Sequence, residues 1–85
     1  MSVRELKSTI AAAVSNLDSQ IRELQLFLQN NDKLMQQISR ELDGSTNSSA
    51  TKMKNALLKT KEQINHTIRL VESAKTKLKS YSAKL

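Results

Sequence analysis

The sequence contains no cysteine, no proline and no tryptophan. Without cysteine, no disulfide can stabilise the fold, and this absence fits either a reducing cytoplasm or a bacterial protein secreted without disulfides. Gly44 is the only glycine and lies at the midpoint of the 85-residue chain. Because proline and glycine are the strongest signals that end a helix, the sequence contains a single clear break.

Aromatic side chains are almost absent, since Phe27 and Tyr81 are the only two. The remaining apolar residues are aliphatic, which suits the packing of helices better than a β-sandwich. A chain of 85 residues can form one small core, and without disulfides or a metal it usually needs oligomerisation for stability. We therefore expect one domain that associates with another chain.

Long hydrophobic runs are also missing. The longest near the start is Ile10 to Val14, which is too short for a signal-peptide core or a membrane span. We expect no transmembrane segment and no export by the general secretory route. His66 is the only histidine, so a single chain cannot build a histidine-based catalytic triad or a metal cluster. The sequence predicts a protein that is not an enzyme and has no cofactor.

Apolar residues recur at intervals of three and four in both halves of the chain, the spacing of one helix face. The first stripe consists of Val3, Leu6, Ile10, Val14, Leu17, Ile21, Leu24, Leu28, Met35, Ile38 and Leu42, and its spacing holds if the polar Asn31 is counted between Leu28 and Met35. The second stripe consists of Ala50, Met53, Leu57, Thr60, Ile64, Thr67, Val71, Ala74, Leu78, Tyr81 and Leu85. Both stripes have the heptad spacing of left-handed helix packing over most of their length.

A polar cluster of turn-forming residues separates the two stripes at residues 43–49. Gly44 can end the first helix, and Asn47 or Ser48 can cap the second. The sequence predicts an all-α fold with helices at 3–42 and 49–84 and a turn at 43–48, which makes the helices antiparallel in a helical hairpin. An alternative is that Asn30–Asp32 starts a new helix, which would give three.

Each helix has more apolar residues than one stripe contains. We interpret the additional residues as a partner interface, consisting of Leu26, Phe27, Leu34, Leu58, Ile68 and Leu70. Burying both flanks would require a four-helix bundle formed with another helical protein. The alternative is that these are isolated exposed residues of a kind found on any protein surface.

Three polar residues occupy stripe positions: Asn31, Thr60 and Thr67. Such residues can fix the register of packed helices and the choice of partner. Equally, Asn31 could mark a kink, and the threonines could be tolerated through their methyl groups.

The net charge of +6 is unevenly distributed, because residues 1–43 carry −1 and residues 44–85 carry +7. A basic helix can bind nucleic acid or an anionic membrane surface. The chain has no stacking aromatics and little arginine for reading bases, so a solvated lysine face is the preferred interpretation. Lysines beside an interface would favour an acidic partner over a second copy.

Two long helices joined at a central glycine, in a chain without cysteine, resemble the WXG100 or Esx-like proteins of type VII secretion. The turn Leu42-Asp43-Gly44 resembles the family's Trp-x-Gly motif with leucine in place of tryptophan, and Tyr81 resembles the start of its Tyr-x-x-x-Asp/Glu export signal, with Leu85 in place of the acid. In these features the chain is similar to the accessory partners of LXG-type toxins.

The resemblance implies a protein that pairs with the helical N-terminal domain of a larger toxin, or with a second WXG100-like chain. It implies the bacterial cytoplasm as the location, or secretion together with the partner. Two other functions remain open. One is a homo-oligomeric structural or adaptor coiled-coil subunit, including a homodimer, and the other is a basic binder of nucleic acid or a membrane surface.

Overall fold

The chain folds into two long helices that run antiparallel. The computed structural model describes residues 1–41 and 48–85, in which α1 spans Val3–Glu41 and α2 spans Ser48–Ala83. The molecule measures 64 × 15 × 15 Å. The all-α helical hairpin expected from the two stripes is thereby confirmed.

The helix ends agree with the sequence prediction to within one residue where the structure describes them. Ser2 caps α1, because its hydroxyl accepts a hydrogen bond from the amide of Glu5 at 3.1 Å and its carbonyl accepts one from Leu6 at 3.0 Å. These bonds satisfy amides that have no partner inside the helix. The predicted turn motif Leu42-Asp43-Gly44 lies outside the described residues.

A single helix continues through Asn30–Asp32, so the first helix is not divided there. The most buried side chains of α1 are Ile10, Ile21, Asn31 and Ile38. Apart from Val3, which is exposed, every described member of the first stripe is at least half-buried. The apolar periodicity of α1 therefore identified the face that packs on α2.

The second stripe divides into two rows with different surroundings. One row packs toward α1 and is buried or half-buried: Ala50, Leu57, Ile64, Val71 and Leu78. The other row, which we also expected to be inside, is mostly exposed and consists of Met53, Thr60, Thr67, Ala74 and Tyr81, of which only Thr60 is half-buried. The prediction was therefore correct for the first row as far as Leu78 and wrong for its last member, Leu85, which is exposed. It was wrong for the second row except for Thr60.

A different row completes the packing surface of α2, and it consists of Lys54, Lys61, Ile68, Lys75 and Ser82, all half-buried. A lysine can lay its hydrocarbon stem along an apolar surface while its ammonium group stays at the edge. Lys61 and Lys75 do this and reach carboxylates on α1. Because α2 is oriented so that these lysines reach the carboxylates, the row that contains Met53 and Tyr81 points away from α1.

Candidate protein interface

Two ion pairs join the helices along one side of the hairpin. The ammonium nitrogen of Lys75 lies 2.8 Å from the Oδ1 atom of Asp18 and 3.1 Å from the Oε2 atom of Glu72. That of Lys61 lies 3.1 Å from the Oδ1 atom of Asp32. The two aspartates are two heptads apart on α1, and the two lysines are two heptads apart on α2. The pairs therefore have the same antiparallel register.

The pair at Asp18 changes the proton affinity of both partners. The hydrogen bond from Lys75 lowers the pKa of Asp18 below its usual 3.8, and partial desolvation opposes this effect. The hydrogen bonds to Asp18 and Glu72 raise the pKa of Lys75 above its usual 10.5. Both shifts favour the charged forms, so the pair stays ionised across the neutral range.

Asn31 forms a hydrogen bond between the helices. Its side-chain amide donates to the backbone carbonyl of Leu57 at 3.2 Å, and the residue is only 6% exposed. The hydroxyls of Thr60 and Thr67 instead donate to carbonyls of their own helix, four residues earlier. Of the three residues predicted to set register, Asn31 is thus the one with a described bond across the hairpin.

The two flanks of α1 point to opposite sides of the hairpin. Asp18 follows the packed residue Leu17 by one position, whereas Phe27 precedes the packed residue Leu28 by one. A step of one residue turns the helix by about 100°, so these steps lead in opposite directions around the axis. We call the side that holds the ion pairs the ionic side and the side that holds Phe27 the neutral side.

Grooves along the hairpin agree with this division. On the neutral side, Phe27, Asn30 and Leu34 of α1 and Thr60 of α2 line a groove of about 390 Å³. On the ionic side, Asp32 and Lys61 line another groove together with Gln36, Ser39 and Arg40. Thr60, which directly precedes the packed Lys61, therefore lies beside Phe27 and Leu34.

The neutral side is built from two rows with heptad spacing. These rows are Leu6, Ala13, Gln20, Phe27 and Leu34 on α1, and Met53, Thr60, Thr67, Ala74 and Tyr81 on α2. The antiparallel register of the ion pairs places Leu34 level with Thr60 and Phe27 level with Thr67. Phe27 and Met53 are each 50% exposed and Tyr81 is 54% exposed. This side presents apolar and uncharged polar groups to the solvent.

The six residues predicted to form a partner interface do not share one surface. Phe27 and Leu34 lie on the neutral side, and Leu70 lies at its outer edge, one turn from Thr67 and Ala74. Leu58 follows Leu57 by one position and therefore lies on the ionic side, and Leu26 faces away from α2. Ile68 is half-buried between the helices, which departs from its predicted exposure.

Sequence reasoning missed the two interhelical ion pairs. The signal was present, because Asp18 and Asp32 are separated by the same interval as Lys61 and Lys75 and flank an apolar stripe. The ion pairs were missed because lysine was treated only as a surface residue. The hydrocarbon stem of lysine also packs against apolar neighbours.

Other kinds of site find no support in the part of the chain that the structure describes. Residues 1–41 and 48–85 contain no group of three or more histidine, cysteine or acidic side chains able to hold a metal ion. Neither described helix has an apolar stretch of the length needed to cross a membrane. His66 is exposed on α2.

Comparisons with known proteins give no relative. No family model, no curated protein and no solved structure matches this chain. Its surface chemistry is therefore the basis for considering what it binds.

Proposed function

We propose that this chain is a non-enzymatic subunit that binds another helical protein through exposed apolar side chains. The observation that supports this proposal is the imbalance between core and surface. The buried apolar residues in the described chain are Ile10, Ile21, Ile38 and Ala50. At least 46% of each of six larger side chains is exposed: Leu26, Phe27, Leu34, Met53, Leu58 and Leu70. Within residues 1–41 and 48–85 the structure has only the two helices, and these leave the six side chains uncovered.

The preferred partner is the helical N-terminal domain of a larger type VII secretion substrate, as in the accessory proteins of LXG-type toxins. Two helices of similar length on either side of Gly44, together with the Leu42-Asp43-Gly44 and Tyr81 features, support this choice. In this role the chain would stabilise the toxin domain in the bacterial cytoplasm and accompany it to the secretion apparatus. A second WXG100-like chain is the other partner of this kind.

A homo-oligomeric structural subunit is the alternative that one observation favours. The central part of the neutral side has little charge, so two copies could bring these sides together without strong repulsion. By contrast, the basic-surface function is weakened because Lys61 and Lys75 are paired with aspartates of α1. Paired lysines contribute less to the binding of phosphates.

The first test is the behaviour of the isolated chain. Its mass should be measured by light scattering and its helicity by circular dichroism over a range of concentrations. We expect a weakly stable species whose helicity rises with concentration, because two helices alone bury little apolar surface. A strongly stable homo-oligomer of defined mass would instead support the structural alternative.

The second test is co-expression with a candidate partner, namely a larger helical protein chosen from the products of neighbouring genes, followed by purification on a tag. We expect an equimolar complex that Phe27→Glu abolishes, because a buried unpaired charge is costly. Gln29→Glu is the control, since it adds the same charge at an exposed polar position of the same helix. An intact complex with Phe27→Glu would contradict binding through this apolar surface.

A further inference from the structure

Charged residues are distributed unequally between the two sides of the hairpin. We consider α1 from Leu6 to Gln37 and α2 from Ser49 to Ala74. In these stretches, the rows that form the neutral side and the rows at its outer edges contain a single charged residue, Glu23. On the ionic side, lysines of α2 project among Asp18, Asp32 and Glu72. The protein therefore has one side that an apolar partner can cover without burying many charges.

Two lysines of α2 continue the outer edge of this neutral side, and two more lie on the back of the same helix. Lys77 and Lys84 continue the outer row of Leu70 at heptad spacing. Lys52 and Lys59 come one position before Met53 and Thr60 and therefore lie about 100° further from α1, on the back of α2. All four lysines are exposed, and none has an ion pair with another described residue. The neutral side is thus an apolar strip whose outer edge on α2 becomes basic at Lys77 and Lys84, toward the end of the helix.

We propose that the neutral side is the docking surface, and that its occupant is an amphipathic helical partner whose apolar stripe is bordered by acidic residues. This inference rests on the proposed function and specifies the binding side and the charge of the partner. Phe27, Leu34 and Met53 would be covered by the apolar stripe. Acidic residues beside the stripe would meet Lys77 and Lys84, where opposite charges favour association and choice of partner.

A second copy of the chain fits this surface less well. The rows that it could bring to this basic edge contain Glu23 and, at the end of α1, Glu41 as their acidic residues. Each copy also carries a net charge of +6, so pairing two copies adds repulsion at moderate distances. An acidic partner would neutralise the basic edge instead of enlarging its charge.

The ionic side is a poorer docking surface for an apolar stripe. Covering it would remove water from Asp18, Asp32, Lys61 and Lys75, which are only partly shielded in the hairpin. Desolvating an ion pair costs free energy that its mutual attraction only partly offsets. Leu58 is the exposed large apolar residue placed there, and a single side chain is a small contact area.

The experiment uses two synthetic helical peptides as probes, each as long as α2, with the same apolar heptad stripe. Glutamates border the stripe in one peptide, and lysines border it in the other. Binding of each labelled peptide to the full chain is measured by fluorescence anisotropy at low and high salt. We expect the acidic peptide to bind roughly tenfold more tightly at low salt, and salt to reduce this difference.

Matched variants locate the binding side. Phe27→Glu and Leu34→Glu, on the neutral side, should each abolish binding of the acidic peptide, whereas Leu58→Glu, on the ionic side, should leave it unchanged. Circular dichroism checks that each variant stays helical. Because Leu34 and Leu58 are each 46% exposed, these two substitutions remove side chains of equal initial exposure.

Each contrary result overturns a distinct statement. Equal binding of both peptides would refute the acidic border while leaving the proposed function in place. Loss of binding with Leu58→Glu alone would refute the neutral side as the docking surface. If neither peptide binds but the natural partner still co-purifies, this inference fails and the proposed function stands. A stable homo-oligomer that Phe27→Glu dissociates, with no peptide bound, would overturn both.

Discussion

The side-chain amide of Asn31 donates a hydrogen bond to the backbone carbonyl of Leu57, 3.2 Å away on the opposite helix. This buried polar contact lies one residue before Asp32, which pairs with Lys61. Two neighbouring residues of α1 therefore contact α2, one inside the packed surface and one at its edge. The ion pair needs a lysine opposite Asp32 and so depends on the alignment of the helices.

Replacing Asn31 with leucine should stabilise the hairpin and weaken its preference for one alignment. Leucine would add apolar burial, and the carbonyl of Leu57 could keep the bond of its own helix, so we expect a gain of about 1 kcal/mol. Urea unfolding measures the stability, and light scattering should reveal additional oligomers because a polar residue at such a position helps to specify pairing. A less stable variant with one defined mass would contradict this prediction.

Ile21 and Leu26 provide a matched pair on the same helix. Ile21 is 5% exposed and Leu26 is 59% exposed. Ile21→Ala should cost about 2 to 5 kcal/mol because it leaves a cavity, and Leu26→Ala should cost less than about 0.5 kcal/mol in the isolated chain. Thermal unfolding followed by circular dichroism compares them. Equal losses would mean that the two helices do not pack through this face of α1.

The Asp18–Lys75 pair predicts a particular dependence of stability on pH. Because folding lowers the pKa of Asp18, its contribution is present above the usual value of 3.8 and is lost as the pH falls through the lower folded value. Because folding raises the pKa of Lys75, its contribution is present below 10.5 and is lost as the pH rises through the higher folded value.

Asp18→Asn tests this dependence. The difference in unfolding free energy between the original chain and the variant should be constant near neutral pH and disappear in strong acid, where Asp18 is protonated. Urea unfolding at a series of pH values gives this difference. A difference that persists in strong acid would show that the carboxylate charge is not what stabilises the fold.

Lys75→Met and Lys75→Ser separate the stem of this lysine from its charge. Methionine keeps a long hydrocarbon chain, so Lys75→Met should remain close to the original stability or exceed it, because replacing a partly buried ion pair by an apolar group is often tolerated. Serine removes the stem and should be less stable. Thermal unfolding distinguishes the two, and equal losses would mean that only the charge contributes.

The fold could be predicted from the sequence because Gly44 is the only strong break and both halves have helical periodicity. The packed face of α1 could also be predicted, since apolar residues from Leu6 to Ile38 define it. The rotation of α2 could not, because Leu57 and Ile64 belong equally to two candidate faces. Choosing between them required knowing that Lys61 and Lys75 reach carboxylates on the facing helix.

The exposed apolar residues were predictable in their types and less so in their location. Phe27, Leu34 and Leu70 were correctly identified as exposed apolar residues. Whether Leu58 and Ile68 join them depends on the rotation of α2, which places Leu58 on the ionic side and Ile68 between the helices. If the rotation of α2 is predicted incorrectly, residues from two sides of the molecule are therefore assigned to one expected interface.

The position of Ile68 between Lys61 and Lys75, one heptad from each, has a consequence for how the chain finds its correct alignment. If the helices slipped by one heptad in either direction, one of the two aspartates would lie opposite Ile68 instead of a lysine. The uniform spacing of the apolar residues alone would tolerate such a slip. The order lysine, isoleucine, lysine therefore disfavours a misaligned hairpin, because that hairpin loses ionic contacts that the correct one has.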